Sequence, residues 1–169
     1  MPTLVAAAGG DPDIKGKLLT GYMAGGKTFK VHLDGYNQLP VLKGEVTKSP
    51  RKEFVYFDDD GNLVAFRDER FKYIFTAQFA KGMDVWRMPL TPLRAPIMID
   101  LLSDPFEYSF DGSAYWEKWV MDRAYLILPA VEKVATYMAT YKDFPPRQRP
   151  ASFSIDQVMD KVNASMKVK

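Results

Sequence analysis

EFVYFDDDGNLVAFRDERFKYIF, residues 53–75, holds three short runs rich in aromatic and β-branched side chains, separated by two polar turns. Residues 53–57 and 63–67 flank Asp58-Asp59-Asp60-Gly61-Asn62, the composition of a β-hairpin tip. Residues 71–75 follow a charged turn at 67–70 and supply a third strand. This spacing predicts an antiparallel meander, because tight turns join only antiparallel neighbours.

Working outward, residues 76–96 have no firm period and contain three prolines, which predicts a loop with a strand around Val85 and Trp86. Residues 97–102 read as a final strand, closed by Asp104-Pro105. The period then changes. Trp116, Val120, Ala124, Ile127, Val131, Val134, Met138 and Tyr141 recur at spacings of three and four, one apolar stripe on a long helix. Pro129 lies inside it, so a kink or two abutting helices are expected there. Ser154 and Gln157 have capping-box spacing for a short last helix. The fold class that results is α+β: a small antiparallel sheet of about four strands packed against a long kinked C-terminal helix, as a single domain over residues 1–169.

Upstream of the meander, residues 2–8 read as the back half of an apolar helix ended by Gly9-Gly10, an element cut in two. Residues 13–19 suit a short helix. Phe29, Val31 and Leu33 alternate with Lys30, His32 and Asp34, which predicts a strand over 28–33 with His32 on its polar face.

Composition excludes several chemistries. The chain has 169 residues and no cysteine, so disulfides, thiolate metal sites and cysteine nucleophiles are ruled out. A single histidine, His32, rules out sites needing two imidazoles. The 23 basic and 21 acidic residues are interspersed, leaving no basic stripe for nucleic acid. Residues 1–3 lack the basic start of a signal peptide, and no run approaches the roughly 20 apolar residues of a membrane span.

Three motifs invite a function. GYMAGGKT, residues 21–28, fits the phosphate-loop pattern G-x-x-x-x-G-K-[ST], and residues 97–100 end on Asp100 like a magnesium-holding strand. A phosphate loop must open a helix, however, and residues 28–33 alternate as a strand, so a Gly-rich turn with a solvated Lys27 is expected and no nucleotide. Asp58, Asp59 and Asp60 lack the alternate spacing of a calcium loop. Asp68, Glu69 and Glu107 are scattered over turns, and nothing pairs two of them for acid–base work.

Several phrases in order resemble the C-terminal part of the sulfatase family, most closely bacterial arylsulfatases. They are PTLVAAAG at 2–9, VHLDGYNQLPVLKG at 31–44, KSPR at 48–51 before FVYF at 54–57, the strand pair 63–67 and 71–75, IDLLSDPFE at 99–107, and FPPRQRPASF at 144–153. The resemblance implies a sulfuric ester hydrolase parent that uses a formylglycine made from a C/S-x-P-x-R motif and a bound calcium. The nearest approach here is Leu90-Thr91-Pro92-Leu93-Arg94, where leucine occupies the nucleophile position. It follows that the chain is expected to carry no catalytic residue, metal site or nucleotide site, and to be inactive alone, a fragment of such an enzyme. Loops of this part border the substrate cleft in the family, which makes His32 and the 76–86 loop candidates for lining one. The expected partners are a sulfatase catalytic domain or further copies of the chain in an oligomer, with neither nucleic acid nor membrane. The parent is expected to be periplasmic or secreted. A free-standing oligomeric interaction module built on the same fold is the alternative.

Overall fold

The structure, a computed structural model, describes residues 1–145. The capping-box helix expected at Ser154–Gln157 and the end of the FPPRQRPASF phrase lie outside the described residues. The chain forms two compact units, one of residues 1–54 with 140–145, the other built on residues 55–139.

The second unit contains the meander. Strands β3 (Glu53–Phe57), β4 (Leu63–Asp68), β5 (Phe71–Ala77) and β6 (Thr91–Asp100) form one sheet in the order β3-β4-β5-β6, the first of them starting at the unit's edge. The α+β class with a four-stranded antiparallel sheet is therefore as the sequence predicts. At the β3–β4 tip the Asp58 carboxylate accepts bonds from the Asn62 backbone N–H at 2.7 Å and side-chain amide at 3.0 Å, which fixes the turn.

Register aligns the core. Phe66 faces Tyr73, and Tyr73 faces Met98, one row across three strands. All three are at most 2% exposed, and Ala130 of the covering helix completes the cluster. Alanine at that contact lets the helix approach the sheet closely, and each large side chain so buried contributes roughly 1.5–3 kcal/mol. Burial, chiefly, raises the pKa of the Tyr73 hydroxyl.

Residues 97–100 are buried without alternation, which is why they read as a continuous apolar run. Asp100 ends that run, 4% exposed, and Arg70 clasps it: Nε donates to Oδ1 at 2.6 Å and the guanidinium makes a second bond to Oδ2. The Arg70 bonds hold the Asp100 carboxyl down at about 2, reinforced by Ser103 and the Leu102 N–H against the opposing effect of burial.

Two predicted boundaries shift. The strand expected from residue 97 begins at Thr91, and the strand expected around Val85 and Trp86 is a 3-10 helix, Gly82–Trp86. Proline hid the strand: β6 is the last strand in the sheet order, so Pro92 and Pro96 need not donate to a further neighbour. A register irregularity between Ile74 and Thr76 accompanies this stretch.

The long helical region follows α4 (Ser109–Gly112) as α5 (Trp116–Met121), a 3-10 turn (Ala124–Leu126) and α6 (Ile127–Ala139). The break falls at 122–123, ahead of Pro129. Proline sits in the first turn of α6, where its missing N–H has no intrahelical acceptor to lose. The predicted stripe is also displaced: Ile127, Ala130 and Val134 face the core, whereas Val131 is 42% and Met138 36% exposed. Trp116 anchors α5 by donating its indole N–H to the Met98 carbonyl at 3.0 Å.

In the first unit, α1 (Pro2–Ala7) has its proline at the first helical position. Gly35 admits that proline, since a Cβ on it would meet the Pro2 ring at 3.1 Å. Helix α2 (Ile14–Thr20) is capped by the Asp13 side chain, which accepts from the Gly16 N–H. Strands β1 (Tyr22–Ala24) and β2 (Lys27–Phe29) form a small hairpin, and α3 (Leu39–Leu42) is one turn. The strand predicted over 28–33 thus ends at Phe29, and residues 30–38 are irregular.

Candidate functional site

GYMAGGKT is a hairpin. Gly25 and Gly26 have φ of +54° and +75°, the left-handed pair that a two-residue turn between antiparallel strands requires, and Tyr22 pairs with Phe29 across it. Lys27 and Thr28 stand exposed on a strand, with no helix opening behind them to supply an anion field. Asp100, the apparent magnesium ligand, is locked to Arg70. Leu90-Thr91-Pro92-Leu93-Arg94 enters β6. Asp68 and Glu107 bind separate lysines, Lys133 at 2.7 Å and Lys72 at 2.6 Å, so they form no carboxylate pair. Among the described residues no group of three or more His, Asp or Glu side chains is placed to hold a metal.

Around His32 the first unit does assemble a cluster. The Val31 N–H donates to the Leu18 carbonyl at 2.9 Å and draws the segment after β2 onto α2. His32 Nδ1 then lies 3.2 Å from Asp34 Oδ1, and its ring 5.8 Å from that of Phe144. Two residues on, the Tyr36 ring has Lys15 Nζ 3.7 Å from its centre and the Arg51 guanidinium at 5.5 Å. Arg51 also lies over Phe54 at 5.0 Å and donates to the Asp34 carbonyl at 3.1 Å. Thr3 fixes the tyrosine's backbone by donating to its carbonyl at 3.1 Å while accepting the Gln38 N–H at 3.0 Å. Burial pushes the Lys15 ammonium pKa down, Arg51 adds to the effect, and Asp34 opposes it. The cluster clamps an irregular segment with cation–ring and carboxylate contacts. His32 belongs to it, half-buried, and the sequence missed its companions Lys15, Tyr36 and Arg51, which no local spacing connects.

The second unit presents a different feature. After β5 the chain leaves the sheet for residues 78–90, and Gln78 holds this loop folded: its amide donates to the Met88 carbonyl at 3.0 Å and its oxygen accepts the Ala80 N–H at 2.9 Å. The folded loop turns its apolar side chains outward. Phe79 is 59%, Met83 70%, Trp86 83% and Met88 56% exposed. Tryptophan and methionine are the side chains that protein interfaces favour and open surfaces do not. The 76–86 loop that sequence reading linked to a cleft includes three of these exposed apolar side chains, Phe79, Met83 and Trp86.

No helix among the described residues is long and apolar enough to cross a membrane. Comparison with protein-family models gives no match, and comparison with curated proteins gives none either.

Proposed function

We propose that this chain is the non-catalytic C-terminal subdomain of an arylsulfatase-like sulfuric ester hydrolase, acting by packing against another polypeptide. The observation that carries the packing role is the loop at 78–90, folded by its own Gln78 yet exposing Phe79, Met83, Trp86 and Met88 within ten residues. Support for the sulfatase parentage comes from the six sequence phrases in family order, and a four-stranded antiparallel sheet with a covering helix is compatible with it. The nucleophile motif is not in these residues, and calcium and formylglycine would belong to the parent's catalytic domain.

The same exposed loop favours a second reading, a free-standing module that associates with copies of itself. Both readings predict a chain without hydrolytic activity of its own. Incubated with an aryl sulfate and calcium, the protein should release phenol no faster than a blank, and turnover above the blank would overturn the proposal.

A further inference from the structure

The sheet of the second unit carries an exposed apolar loop at each end, and the two loops differ in charge. Strands β5 and β6 pair from Ala77 with Thr91 at one end to Phe71 with Asp100 at the other, which sets those ends about 20 Å apart. The loop at 78–90 lies at the first end. The chain that follows Asp100 leaves from the second.

Residues 101–108 are secured from within, as the loop at 78–90 is. The Asp104 carboxylate accepts the Tyr108 N–H at 3.1 Å and the Ser109 N–H at 2.8 Å, and Glu107, at a φ of +58°, is held by Lys72 at 2.6 Å. The turn so fixed leaves Leu102 75%, Phe106 89% and Tyr108 69% exposed. Residues 101–117 contain Asp104, Glu107, Asp111 and Glu117 and no lysine or arginine. Lys72 offsets Glu107, so Asp104, Asp111 and Glu117 make this end negative. At the other end, residues 78–94 contain Lys81, Arg87 and Arg94 against the single Asp84, which pairs with Arg87 at 3.4 Å. Lys81 and Arg94, both exposed, make that end positive. Apolar area alone does not choose a partner, whereas opposite charge around it does, because two copies of the same loop repel. Within one molecule the intervening sheet keeps the two surfaces apart.

We infer that the loop at 78–90 of one copy docks on the turn at 101–108 of the next, Met83 and Trp86 against Phe106 and Tyr108, with Lys81 and Arg94 toward the carboxylates. The inference rests on the reading in which a further copy covers the Trp86 loop, and it names the surface that does the covering. A contact between unlike surfaces leaves one of each free on every pair, so assembly continues past the dimer.

Mixing two variants tests this. Trp86→Asp removes the loop surface and Phe106→Asp the turn surface, and both side chains lie too far outside the core for either change to disturb it. In sedimentation velocity at micromolar concentration the wild type should form species beyond the dimer. Each variant alone should be monomeric, and an equimolar mixture should form a one-to-one pair that grows no further. That pair should weaken at least about threefold between about 0.1 M and about 1 M salt, where the screening length falls from about 10 Å to about 3 Å. A wild type that stops at the dimer, or a Phe106→Asp variant that associates as the wild type does, would overturn the inference and leave the Trp86 loop covered by its own counterpart. A mixture that stays monomeric, or a pair indifferent to salt, would overturn it as well. A monomeric wild type that binds a hydrophobic dye would overturn it and point to a different polypeptide as the cover; one that binds no dye would remove the packing role along with it.

Discussion

Phe66, Tyr73 and Met98 share one row of the sheet, and the helix that covers them contributes only an alanine, so the row has little slack. Phe66→Ala should lower unfolding free energy by about 3–5 kcal/mol, measured by denaturant titration, because the neighbours cannot close the cavity. Asp100 gives a pH signature. Arg70 holds its folded-state pKa at about 2, below the ordinary aspartate range, so its contribution is complete above about pH 4–5 and is lost as the pH falls through the folded value. Because Arg70 is half-exposed to water, the contribution is on the order of 1–2 kcal/mol. Arg70→Met should remove most of that loss between about pH 4 and pH 2, and an unchanged acid profile would contradict the assignment. The pairing of Arg70 with Asp100 was not legible in the sequence, since 29 residues separate them and Asp100 reads there as the end of an apolar run.

At the scale of elements, a proline inside an apolar helical period reads as a kink or two abutting helices, and the region does divide, into α5 and α6, with Pro129 in the first turn of α6. Pro129→Ala should therefore change stability by less than about 1 kcal/mol in thermal or denaturant unfolding; a large change in either direction would mean that the ring shapes α6. The three-strand meander was legible because its turn residues and alternation are local. The start of β6 was not, because Pro92 and Pro96 conceal a strand that edge position permits. The helical stripe was legible as a period but not as a side. Val131 and Met138 fit the same spacing as Val134, and only packing decides which row faces the sheet. In the same way His32 could be singled out by being the one histidine, whereas Lys15, Tyr36 and Arg51 come together only through the fold.

For the molecule as a whole, a phosphate-loop string gives way to a glycine hairpin, and Asp68, Asp100 and Glu107 pair with Lys133, Arg70 and Lys72. The loop at 78–90, secured from within by Gln78, exposes the apolar side chains of Met83, Trp86 and Met88. The central claim is that this surface exists to be covered by another polypeptide, and without a catalytic domain present a further copy is the available cover. Sedimentation velocity of the full chain at micromolar concentration, with a hydrophobic dye added in parallel, tests this most directly. A dimer or larger species that reverts toward monomer in Trp86→Asp is the predicted result; a monomer that binds no dye would contradict the claim.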